Sequence, residues 1–419
     1  MEKIFVIGLG YIGLPTAAMF SKAGYEVIGY DANPEVGKKL EAGEDLVEAG
    51  VQDLVNRGLE SGKLRIVSDY EKADVFIICV PTPINEDKTP NMAMVRAAAE
   101  AVAGVLERGN TVVLESTSPP GTCNKLIAPI IEEKTGFKAE EDYFLAHSPE
   151  RVIPGNIVYE LVHNERIVGG YGEKSAQKVK GLYQSFVQAE ILTTDTTTAE
   201  AAKLMENTYR DVNIAFANEA LRVAKDLGIN VWEMIHLANR HPRVNILTPG
   251  PGVGGHCIAV DPWFIANLSP SAQMISMARR TNDTMPTYTG QAIEGILDKG
   301  KLAILGLAFK ANTDDFRGSP ILDLVAYLDQ AGYDLALTDP YGEGKTLGGR
   351  DLLPLEEALE GADLLVLAVD HKAYKDLDFK ALGDKMAQKK VFDTRNVLNR
   401  EDLEALGFDY YLLGDGRHA

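Results

Sequence analysis

Short apolar runs recur along the N-terminal third of the chain, and each is followed by a turn and then by a helical pattern. The runs lie at residues 3–7, 26–31, 73–80, 111–114 and 143–147. Near-continuous apolar strands of this kind are typical of a parallel sheet that is covered by helices on both faces. The pattern therefore predicts a doubly wound α/β domain at the start of the chain.

The same pattern returns in a weaker form beyond Gly300. Runs at residues 302–306, 334–339, 362–369 and 390–394 follow one another in the order of the first four runs of the N-terminal domain. Internal repetition at this scale indicates a second copy of one architecture. We predict a second parallel sheet of the nucleotide-binding type.

A long helix is predicted between the two sheets. Thr197 to Glu200 matches a capping box, and the helical pattern continues to Leu227, where Gly228 provides a C-terminal stop. Because such a helix exceeds the usual length in globular domains, we expect it to join domains or subunits. Two shorter helical patterns follow it, at residues 231–239 and 269–281.

A chain of 419 residues, 45% hydrophobic and 25% charged, is long enough for two or three globular domains. The predicted fold class is α/β, with two Rossmann-like doubly wound parallel-sheet domains joined by a central helical domain. The predicted bounds are residues 1–194, 195–295 and 296–419.

The charge and the cysteine content exclude several classes of function. A formal net charge of −19 argues against nucleic-acid and anionic-membrane partners, which require a basic surface. The three cysteines form no C-x-x-C pair and no zinc-type spacing, so we expect no metal site. With neither a secretion signal nor an apolar run of membrane-spanning length, the pattern favours a reducing cytoplasm.

A glycine turn, Gly8-x-Gly10-x-x-Gly13, follows the first apolar run and opens a helical pattern. In this context Gly8 permits a tight turn, Gly10 lets the backbone approach a pyrophosphate, and Gly13 lets the helix pack on the strand. Asp31 ends the second run at the distance expected for a carboxylate that binds the ribose hydroxyls and repels a 2′-phosphate. These features predict NAD rather than NADP; the alternative is a purely structural βαβ unit.

The corresponding turn of the second sheet has lost two glycines, since Gly306 is followed by Leu-Ala-Phe-Lys. A second dinucleotide is therefore not expected there. Lys310 and Arg317, with Ser319 and Asp339 near strand ends, can instead hold a nucleotide diphosphate. The alternative is that Lys310 is an ordinary surface residue.

Four glycines and three prolines surround Cys257 within residues 249–262. A thiol on a glycine-rich turn is accessible to a substrate carbonyl, so we interpret Cys257 as a nucleophile. The alternative is a small buried hydrophobic residue, which is the usual fate of an unpaired cysteine. Cys79 is assigned to the core of its strand, and Cys123 is placed at a helix start without a role.

Polar residues follow several of the predicted strands, where ligands of open parallel sheets bind. Among them, Glu150 is a candidate acid or base. On the long helix, Lys203, Asn207 and Arg210 share one face at i, i+4 and i+7. Without other information, a solvated helix face is the favoured interpretation of this stripe.

Five motifs in one order make the chain resemble the UDP-glucose/UDP-mannose dehydrogenase family over essentially its whole length. The motifs are Gly8-x-Gly10-x-x-Gly13, Ser116-Thr117, Ser148-Pro149-Glu150-Arg151, Lys203-x-x-x-Asn207, and Gly254-Gly255-His256-Cys257 before Asp261.

The resemblance implies a four-electron oxidation of the C6 alcohol of a UDP-sugar to a carboxylate with two NAD. Residues 241–244, 249–264 and 307–310 are most similar to members that act on UDP-N-acetyl-D-mannosamine, with UDP-N-acetylglucosamine and UDP-glucose as alternatives. Val260 stands where UDP-glucose members carry lysine, which weakens that last assignment. We therefore expect a UDP-N-acetylhexosamine as substrate.

The resemblance also implies roles for single residues. Cys257 captures the aldehyde as a thiohemiacetal that becomes a thioester; Lys203 stabilises the oxyanion; Asn207 and Thr117 hold water. Glu150 and Asp261 move protons in this scheme, which completes the catalytic set. The expected cofactor contacts are Gly8, Gly10, Tyr11, Ile12, Gly13, Asp31, Thr82, Thr117, Lys310 and Arg317. The expected substrate contacts are Glu150, Arg151, Lys203, Asn207, Arg210, Arg243, Pro249, Gly252, Gly254 and Lys310.

A homodimer through the long helix is implied as well, with Arg243 reaching the neighbouring subunit's substrate; His256 receives no role. Two other functions stay open. A two-electron β-hydroxyacid-type dehydrogenase has no need of Cys257, and a non-catalytic NAD-binding protein has no need of the thiol, the lysine and the carboxylates together.

Overall fold

The computed structural model describes residues 2–153 and 155–416. These described residues form two compact units: the first runs to Glu206 and includes residues 263–270, and the second comprises residues 207–262 and 271–416. In chain order the elements up to the long helix are β1 Lys3–Ile7, α1 Gly13–Lys22, β2 Glu26–Tyr30, α2 Pro34–Glu41, α3 Ala49–Glu60, β3 Leu64–Val67, β4 Val75–Ile78, α4 Ala93–Ala103, β5 Thr111–Leu114, a π-helical turn Cys123–Ile127, α5 Ala128–Thr135, β6 Phe144–His147, α6 Ile157–His163, β7 Arg166–Gly170, α7 Glu173–Tyr183, β8 Ile191–Asp195 and α8 Thr196–Leu227.

The elements that follow α8 are α9 Val231–Ala238, α10 Asp261–Leu268, α11 Gln273–Asp283, α12 Met285–Ile296, β9 Lys301–Leu305, α13 Pro320–Gln330, β10 Asp334–Thr338, β11 Thr346–Leu347, β12 Arg350–Asp351, α14 Leu355–Leu359, β13 Leu364–Leu367, a 3-10 turn Lys372–Tyr374, α15 Phe379–Gly383, β14 Lys390–Asp393, α16 Arg400–Ala405 and β15 Asp409–Leu412.

The first unit is built on an eight-stranded sheet with the order β3-β2-β1-β4-β5-β6-β7-β8. Its first six strands are parallel, whereas β7 runs antiparallel to β6. Both faces are covered: Ile4 and Val6 of β1 join one buried apolar cluster, and Phe5 and Ile7 join the cluster on the opposite face. This two-sided burial explains why the strands read as unbroken apolar runs.

The second unit repeats this design. Its five parallel strands have the order β10-β9-β13-β14-β15, which is the order of β2-β1-β4-β5-β6 in the first sheet. Alternate residues of β9 again enter two apolar clusters, Leu302 and Ile304 on one face and Ala303 and Leu305 on the other. The predicted α/β fold class, with two parallel sheets and a long helix, is confirmed.

The long helix begins differently from the predicted capping box. Asp195, rather than Thr197, is its cap, since the Asp195 carboxylate accepts hydrogen bonds from the Thr198 amide (3.0 Å) and hydroxyl (2.6 Å). The Thr197 hydroxyl accepts from Asn124, and the Glu200 carboxylate from the Cys123 amide. A carboxylate on the preceding strand end provides a stronger acceptor at the helix N-terminus than the threonine hydroxyl.

Two further details differ from the sequence prediction. Asp261 begins a helix, α10, that the sequence pattern did not reveal, because the glycine- and proline-rich segment before it read as continuous loop. Cys79 lies one residue beyond β4 and is half-buried, so it does not belong to the core of that strand. Within the described residues no helix combines the length and the apolar character that a membrane crossing requires.

Candidate functional site

The glycine turn of the first unit connects β1 to α1 and has the shape that a dinucleotide requires. Gly8 has φ +91°, and a Cβ on it would lie 2.6 Å from the Cys79 carbonyl oxygen. A Cβ on Gly13 would overlap the Gly8 carbonyl oxygen, whereas one on Gly10 would have no described heavy atom within 4 Å. Gly8 and Gly13 are therefore needed by the turn itself, and Gly10 leaves open space in front of it.

Asp31 lies beside this turn at the end of β2. Its Oδ2 accepts a hydrogen bond from the Leu9 amide (2.8 Å) and its Oδ1 accepts one from the Asn33 amide (2.8 Å). Helix α1 has no side-chain cap and no acidic residue in its first turn, so its N-terminus is suited to a bound pyrophosphate. The residues present fit NAD, with Tyr11 exposed and Ile12 half-buried on the same turn.

Threonines at the ends of β4 and β5 are brought together. The Thr82 hydroxyl donates to the Thr117 carbonyl (2.6 Å), and the Ser116 hydroxyl donates to the Val80 carbonyl (2.7 Å). Both threonine side chains are half-buried. The predicted cofactor contacts Thr82 and Thr117 thus belong to one hydrogen-bonded edge of the sheet.

A buried charged cluster, which the sequence pattern did not predict, lies behind this edge. Arg166, the first residue of β7, donates from Nη2 to Glu115 (2.7 Å), from Nη1 to Glu150 (2.7 Å) and from Nε to the Ser148 hydroxyl (2.8 Å). Its guanidinium also stacks on the Tyr183 ring, 3.9 Å from the ring centroid. Burial disfavours the charge of Arg166, but the neighbouring Glu150, Tyr183 and Glu115 outweigh it and raise its pKa.

Glu150 and Arg151 have different surroundings. The Glu150 carboxylate accepts from Arg166 through Oε2 and from the Arg151 amide through Oε1 (2.7 Å). The Arg151 guanidinium pairs with Glu206 (2.7 Å) and donates to the Glu165 carbonyl. Arg151 must therefore release Glu206 and the Glu165 carbonyl before its guanidinium can contact a substrate.

Lys203 lies on α8 and is buried, with 7% of its surface exposed. The stripe that it shares with Asn207 and Arg210 is therefore not a uniformly solvated face, since Asn207 is half-buried and only Arg210 is exposed. A buried lysine outside an obvious core position is unusual and favours a functional role.

Near Lys203, three buried side chains, Cys123, His147 and Glu200, place ligand-type atoms within 4.8 Å of one another. Both Glu200 oxygens, however, accept backbone amides, from Gly121 and Cys123. Among the described residues neither ring nitrogen of His147 has a hydrogen-bond partner. The carboxylate of this cluster is therefore already engaged by the backbone.

His147 makes the stability of the first unit dependent on pH. Burial lowers its pKa to about 3, with Lys203 acting in the same direction, whereas the ordinary value is 6.5. Below pH 6.5 the unfolded chain therefore takes up a proton that the folded chain refuses, so stability falls by about 1.4 kcal/mol between pH 7.5 and pH 5.5.

Exchange of His147 for glutamine is expected to remove this loss. Urea unfolding at the two pH values measures it, and Val168→Ala in the adjacent strand is the control, because it lowers stability equally at both. A variant that keeps the full acid dependence contradicts the assignment to His147.

In the second unit the Cys257 turn leads into α10. The Cys257 carbonyl accepts the amides of Val260 (3.0 Å) and Asp261 (2.8 Å), and the Cys257 side chain is exposed. The Asp261 carboxylate, 3% exposed at the start of α10, accepts a hydrogen bond from the Asn207 amide nitrogen Nδ2 (2.6 Å). The structure thus brings together three of the predicted catalytic residues in this unit.

The segment around Cys257 is held on both sides. Gly255, with φ +86°, donates to the Gly318 carbonyl (3.1 Å), and a Cβ on it would lie 2.8 Å from the Phe309 ring. Asn218 of α8 accepts the Gly250 amide (2.9 Å), and Arg279 of α11 donates to the Val253 carbonyl (3.3 Å). Glycine at 255 is required by the backbone and by the aromatic neighbour together.

Arg279 is fully buried in an ion pair with Asp211 and donates to Asp283 as well. Burial raises the pKa of Asp211 to about 6, although Arg279 opposes this effect. This pair was not predictable from the sequence, because both residues lie in helical patterns where charged residues are usually solvated.

Arg317 lies close enough to Cys257 for their charges to interact. Its guanidinium forms a double hydrogen bond with Asp315 (2.6 and 2.8 Å), which raises its pKa, and it is exposed. His256 stands edge-on to the Phe309 ring, and burial together with Arg317 lowers its pKa. A positive charge beside a thiol favours the thiolate form.

Asp339, the carboxylate that follows the second sheet's strand β10, binds other groups of the protein itself. Asp339, at the end of β10, accepts the Leu307 amide (2.7 Å), as Asp31 accepts the Leu9 amide in the first sheet. In addition, His371 is buried against it, with Nε2 3.1 Å from the carboxylate. Because His371 Nδ1 accepts the Asn312 amide (2.9 Å), its Nε2 carries the proton and donates to Asp339.

The other residues predicted for this unit differ in their exposure. Ser319 caps α13, since its hydroxyl oxygen accepts a hydrogen bond from the Ile321 amide. Lys310, Arg210 and Arg243 are exposed. The remaining predicted substrate contacts show mixed exposure: Pro249 is buried, and Gly252 and Gly254 are half-buried.

Comparison with known proteins shows to which family these features belong. Sequence models of the UDP-glucose/GDP-mannose dehydrogenase family match the chain in three consecutive parts: the NAD binding domain over residues 2–187, the central domain over residues 197–284 and the UDP binding domain over residues 303–400. A UDP-N-acetyl-D-mannosamine dehydrogenase of Methanocaldococcus jannaschii is 46% identical, with 100% of this chain and 98% of the relative covered. The chain belongs to this family.

Two other members of the UDP-glucose/GDP-mannose dehydrogenase family bear on the assignment. An NDP-N-acetyl-D-galactosaminuronic acid dehydrogenase of Ralstonia solanacearum is 44% identical, with 96% of this chain and 98% of the relative covered. A solved structure described as a UDP-D-ManNAc dehydrogenase of Pyrococcus horikoshii has a TM-score of 0.91 and 42% identity, with 99% of each chain covered.

The family resemblance expected from the motifs is confirmed, with GDP-mannose rather than UDP-mannose in the family description. Family members carry out an NAD-dependent double oxidation of nucleotide sugars. The glycine turn and Asp31 fall within the NAD binding domain, and NAD is the cofactor. Most of the second sheet, from β9 to β14, overlaps the UDP binding domain, which accounts for a sheet that has lost the dinucleotide turn.

Proposed function

We propose that this enzyme oxidises the C6 alcohol of UDP-N-acetyl-D-mannosamine to the carboxylate through a covalent intermediate on Cys257. The observation that carries the proposal is the turn that leads from an exposed thiol, Cys257, into α10, whose first residue, Asp261, is hydrogen-bonded to Asn207. A thiol is required because it can take the aldehyde to the acid level as a thioester. NAD, when bound, is the oxidant of both steps.

The chain's own residues provide the remaining chemistry. The Cys257 sulfur bonds to C6 of the aldehyde, and the carbonyl oxygen becomes an oxyanion that the buried Lys203 stabilises. After the second oxidation, water attacks C6, the carbon–sulfur bond breaks, and the thiol is released with the carboxylate. Asn207, oriented by Asp261, and Thr117 hold this water, while Asp261 and Glu150 move protons.

We propose that Arg317, whose pKa is raised chiefly by Asp315 and in smaller part by Cys257, favours the reactive thiolate form of Cys257. We propose Lys310 and Arg317 as the contacts to the diphosphate or the cofactor. The other proposed cofactor contacts are Gly8, Gly10, Tyr11, Ile12, Gly13, Asp31, Thr82 and Thr117. The other proposed substrate contacts are Glu150, Arg151, Lys203, Asn207, Arg210, Arg243, Pro249, Gly252 and Gly254.

The proposal extends to organisation and location. We retain domain bounds of 1–194, 195–295 and 296–419, and we propose a homodimer through α8. Tyr209 and Phe216, 72% and 57% exposed and seven residues apart, place two large rings on one side of that helix next to Arg243. Light scattering tests the dimer by its mass.

A catalytic thiol must stay reduced, which favours the cytoplasm.

The identity of the sugar is the finer part of the proposal. The mannosamine relative and the galactosaminuronate relative are almost equally similar to this chain, so overall identity does not separate the two sugars. Both names describe N-acetylated sugars, which supports a UDP-N-acetylhexosamine over UDP-glucose. A UDP-N-acetylgalactosamine substrate is the second candidate.

The amount of NADH formed per limiting sugar nucleotide tests the function. UDP-N-acetylmannosamine is compared with UDP-N-acetylglucosamine, UDP-N-acetylgalactosamine and UDP-glucose under identical conditions. We expect two NADH per UDP-N-acetylmannosamine and much slower turnover of the others. One NADH per sugar rules out the covalent route, and preference for another nucleotide sugar reassigns the substrate.

A further inference from the structure

We propose that Arg166 is a positioning residue, which fixes the Glu150 carboxylate in the orientation that proton transfer requires. This inference rests on the proposed role of Glu150 and adds a residue that no sequence motif assigns. Arg166 itself lies behind the edge of the sheet and is 4% exposed, so it is separated from solvent and acts through Glu150.

The contacts of Arg166 define the orientation of Glu150. One guanidinium nitrogen, Nη1, holds Oε2 of Glu150 at 2.7 Å, while Oε1 is held at 2.7 Å by the Arg151 amide. A carboxylate held at both oxygens has one side-chain orientation, and a charge-assisted bond inside the protein is stronger than the same bond in water. Glu150 is therefore placed by its partners.

Arg166 is in turn fixed from the side opposite Glu150. Nη2 binds Glu115 at 2.7 Å, Nε binds the Ser148 hydroxyl at 2.8 Å, and the Tyr183 ring lies against the guanidinium plane. All of these partners are buried, so water cannot replace any of them. A planar guanidinium satisfies three acceptors in fixed directions, which a lysine ammonium cannot do.

Glu115, which accepts a hydrogen bond from Arg166, is itself held in place by its other contacts. Its Oε2 accepts hydrogen bonds from the Thr16 hydroxyl of α1 (3.0 Å) and from the Cys79 thiol (3.1 Å), and its Oε1 accepts from the Tyr183 hydroxyl. The chain of bonds from α1 through Glu115 and Arg166 to Glu150 is continuous. Its function, we infer, is to keep the acid–base group rigid relative to the helix that begins at the glycine turn.

The test is chemical rescue of Arg166→Ala by guanidinium ion. Loss of the guanidinium leaves Glu150 free to rotate, and misplacement of a catalytic group by about 1 Å costs on the order of 100-fold in rate. We expect kcat to fall by about that factor with KM for NAD little changed, and added guanidinium chloride in the tens of millimolar to restore about tenfold. Arg65→Ala, which removes a half-buried arginine paired with Glu71, is the matched control without loss or rescue.

Glu150→Gln, measured in parallel, distinguishes the proton-transfer role of Glu150 from the positioning role of Arg166. If Glu150→Gln keeps full turnover, the proton-transfer role in the proposed function fails. If Glu150→Gln is slow and Arg166→Ala is as fast as the parent, the positioning role fails. Loss without rescue in a folded Arg166→Ala protein also overturns it, because a purely structural arginine gives that result.

If Arg166→Ala does not fold, Arg166→Lys decides. The lysine keeps the buried charge but cannot satisfy the same acceptors, so we expect a fall of about tenfold in kcat at an unchanged KM. An unchanged kcat in this folded variant overturns the proposal.

Discussion

Replacement of Cys257 by serine is expected to reduce the formation of the carboxylate by about three to four orders of magnitude, because serine is a far weaker nucleophile at neutral pH and its ester is a poorer intermediate than a thioester. Binding of NAD should be unaffected, since the glycine turn that we assign to it lies in the other unit of the chain. The serine variant should therefore still bind NAD and form the aldehyde, but it should not capture the aldehyde covalently.

The measurement is NADH release together with the mass of the protein after a single turnover. The parent enzyme, quenched in acid, should carry a sugar adduct on residue 257, and the serine variant should not. Cys123→Ser is the control, because Cys123 is buried and lies in the other unit of the chain. A serine variant that forms two NADH per sugar at the parental rate contradicts a covalent role for the thiol.

Gly13→Ala is expected to weaken NAD binding by about 10- to 100-fold, which corresponds to the usual cost of overpacking, about 1–3 kcal/mol. The added methyl group would overlap the Gly8 carbonyl oxygen, which is backbone and cannot move without reshaping the turn. Helix propensity does not explain such a loss, since Gly13 lies in α1, where alanine is the better residue.

Gly10→Ala is the matched variant, because its methyl group would meet no described atom within 4 Å. Its melting temperature should equal that of the parent, yet NAD should bind more weakly, since the methyl group occupies space that the pyrophosphate needs. Calorimetric titration with NAD and thermal unfolding distinguish the two variants. If Gly10→Ala binds NAD as the parent does, the open space in front of Gly10 is not the cofactor site.

Much of this architecture is predictable from local pattern. Buried strands of a two-sided sheet must be apolar throughout, so β1 and β9 were recognisable, and the glycines of the first turn are required by sterics that act within a few residues. The Thr197 capping box failed because Asp195, two residues earlier, competes for the same helix N-terminus and is the better acceptor.

The residues of the candidate site were predictable from the sequence only where they belong to a recognisable motif. Arg166 pairs with residues 16 and 51 positions away, and no periodicity reports a partner at such separation. The one local sign is an arginine at the start of an otherwise apolar strand, followed by Ile-Val-Gly-Gly. The contacts of His371 and Arg279 were not predictable for the same reason, because pairings between residues far apart in the sequence are a property of the folded chain.

The engagement of Asp339 by His371 has a kinetic consequence on the proposed route. Within residues 2–153 and 155–416, the second sheet repeats the strand order of the first but offers neither the three glycines nor a carboxylate open to a ribose. Four electrons must then leave through one dinucleotide site in two visits. Between the visits the half-oxidised sugar has to remain attached to the protein, so that a reactive aldehyde is not shed into solution. The residence time of that sugar, rather than the speed of either oxidation, sets how completely each molecule is converted.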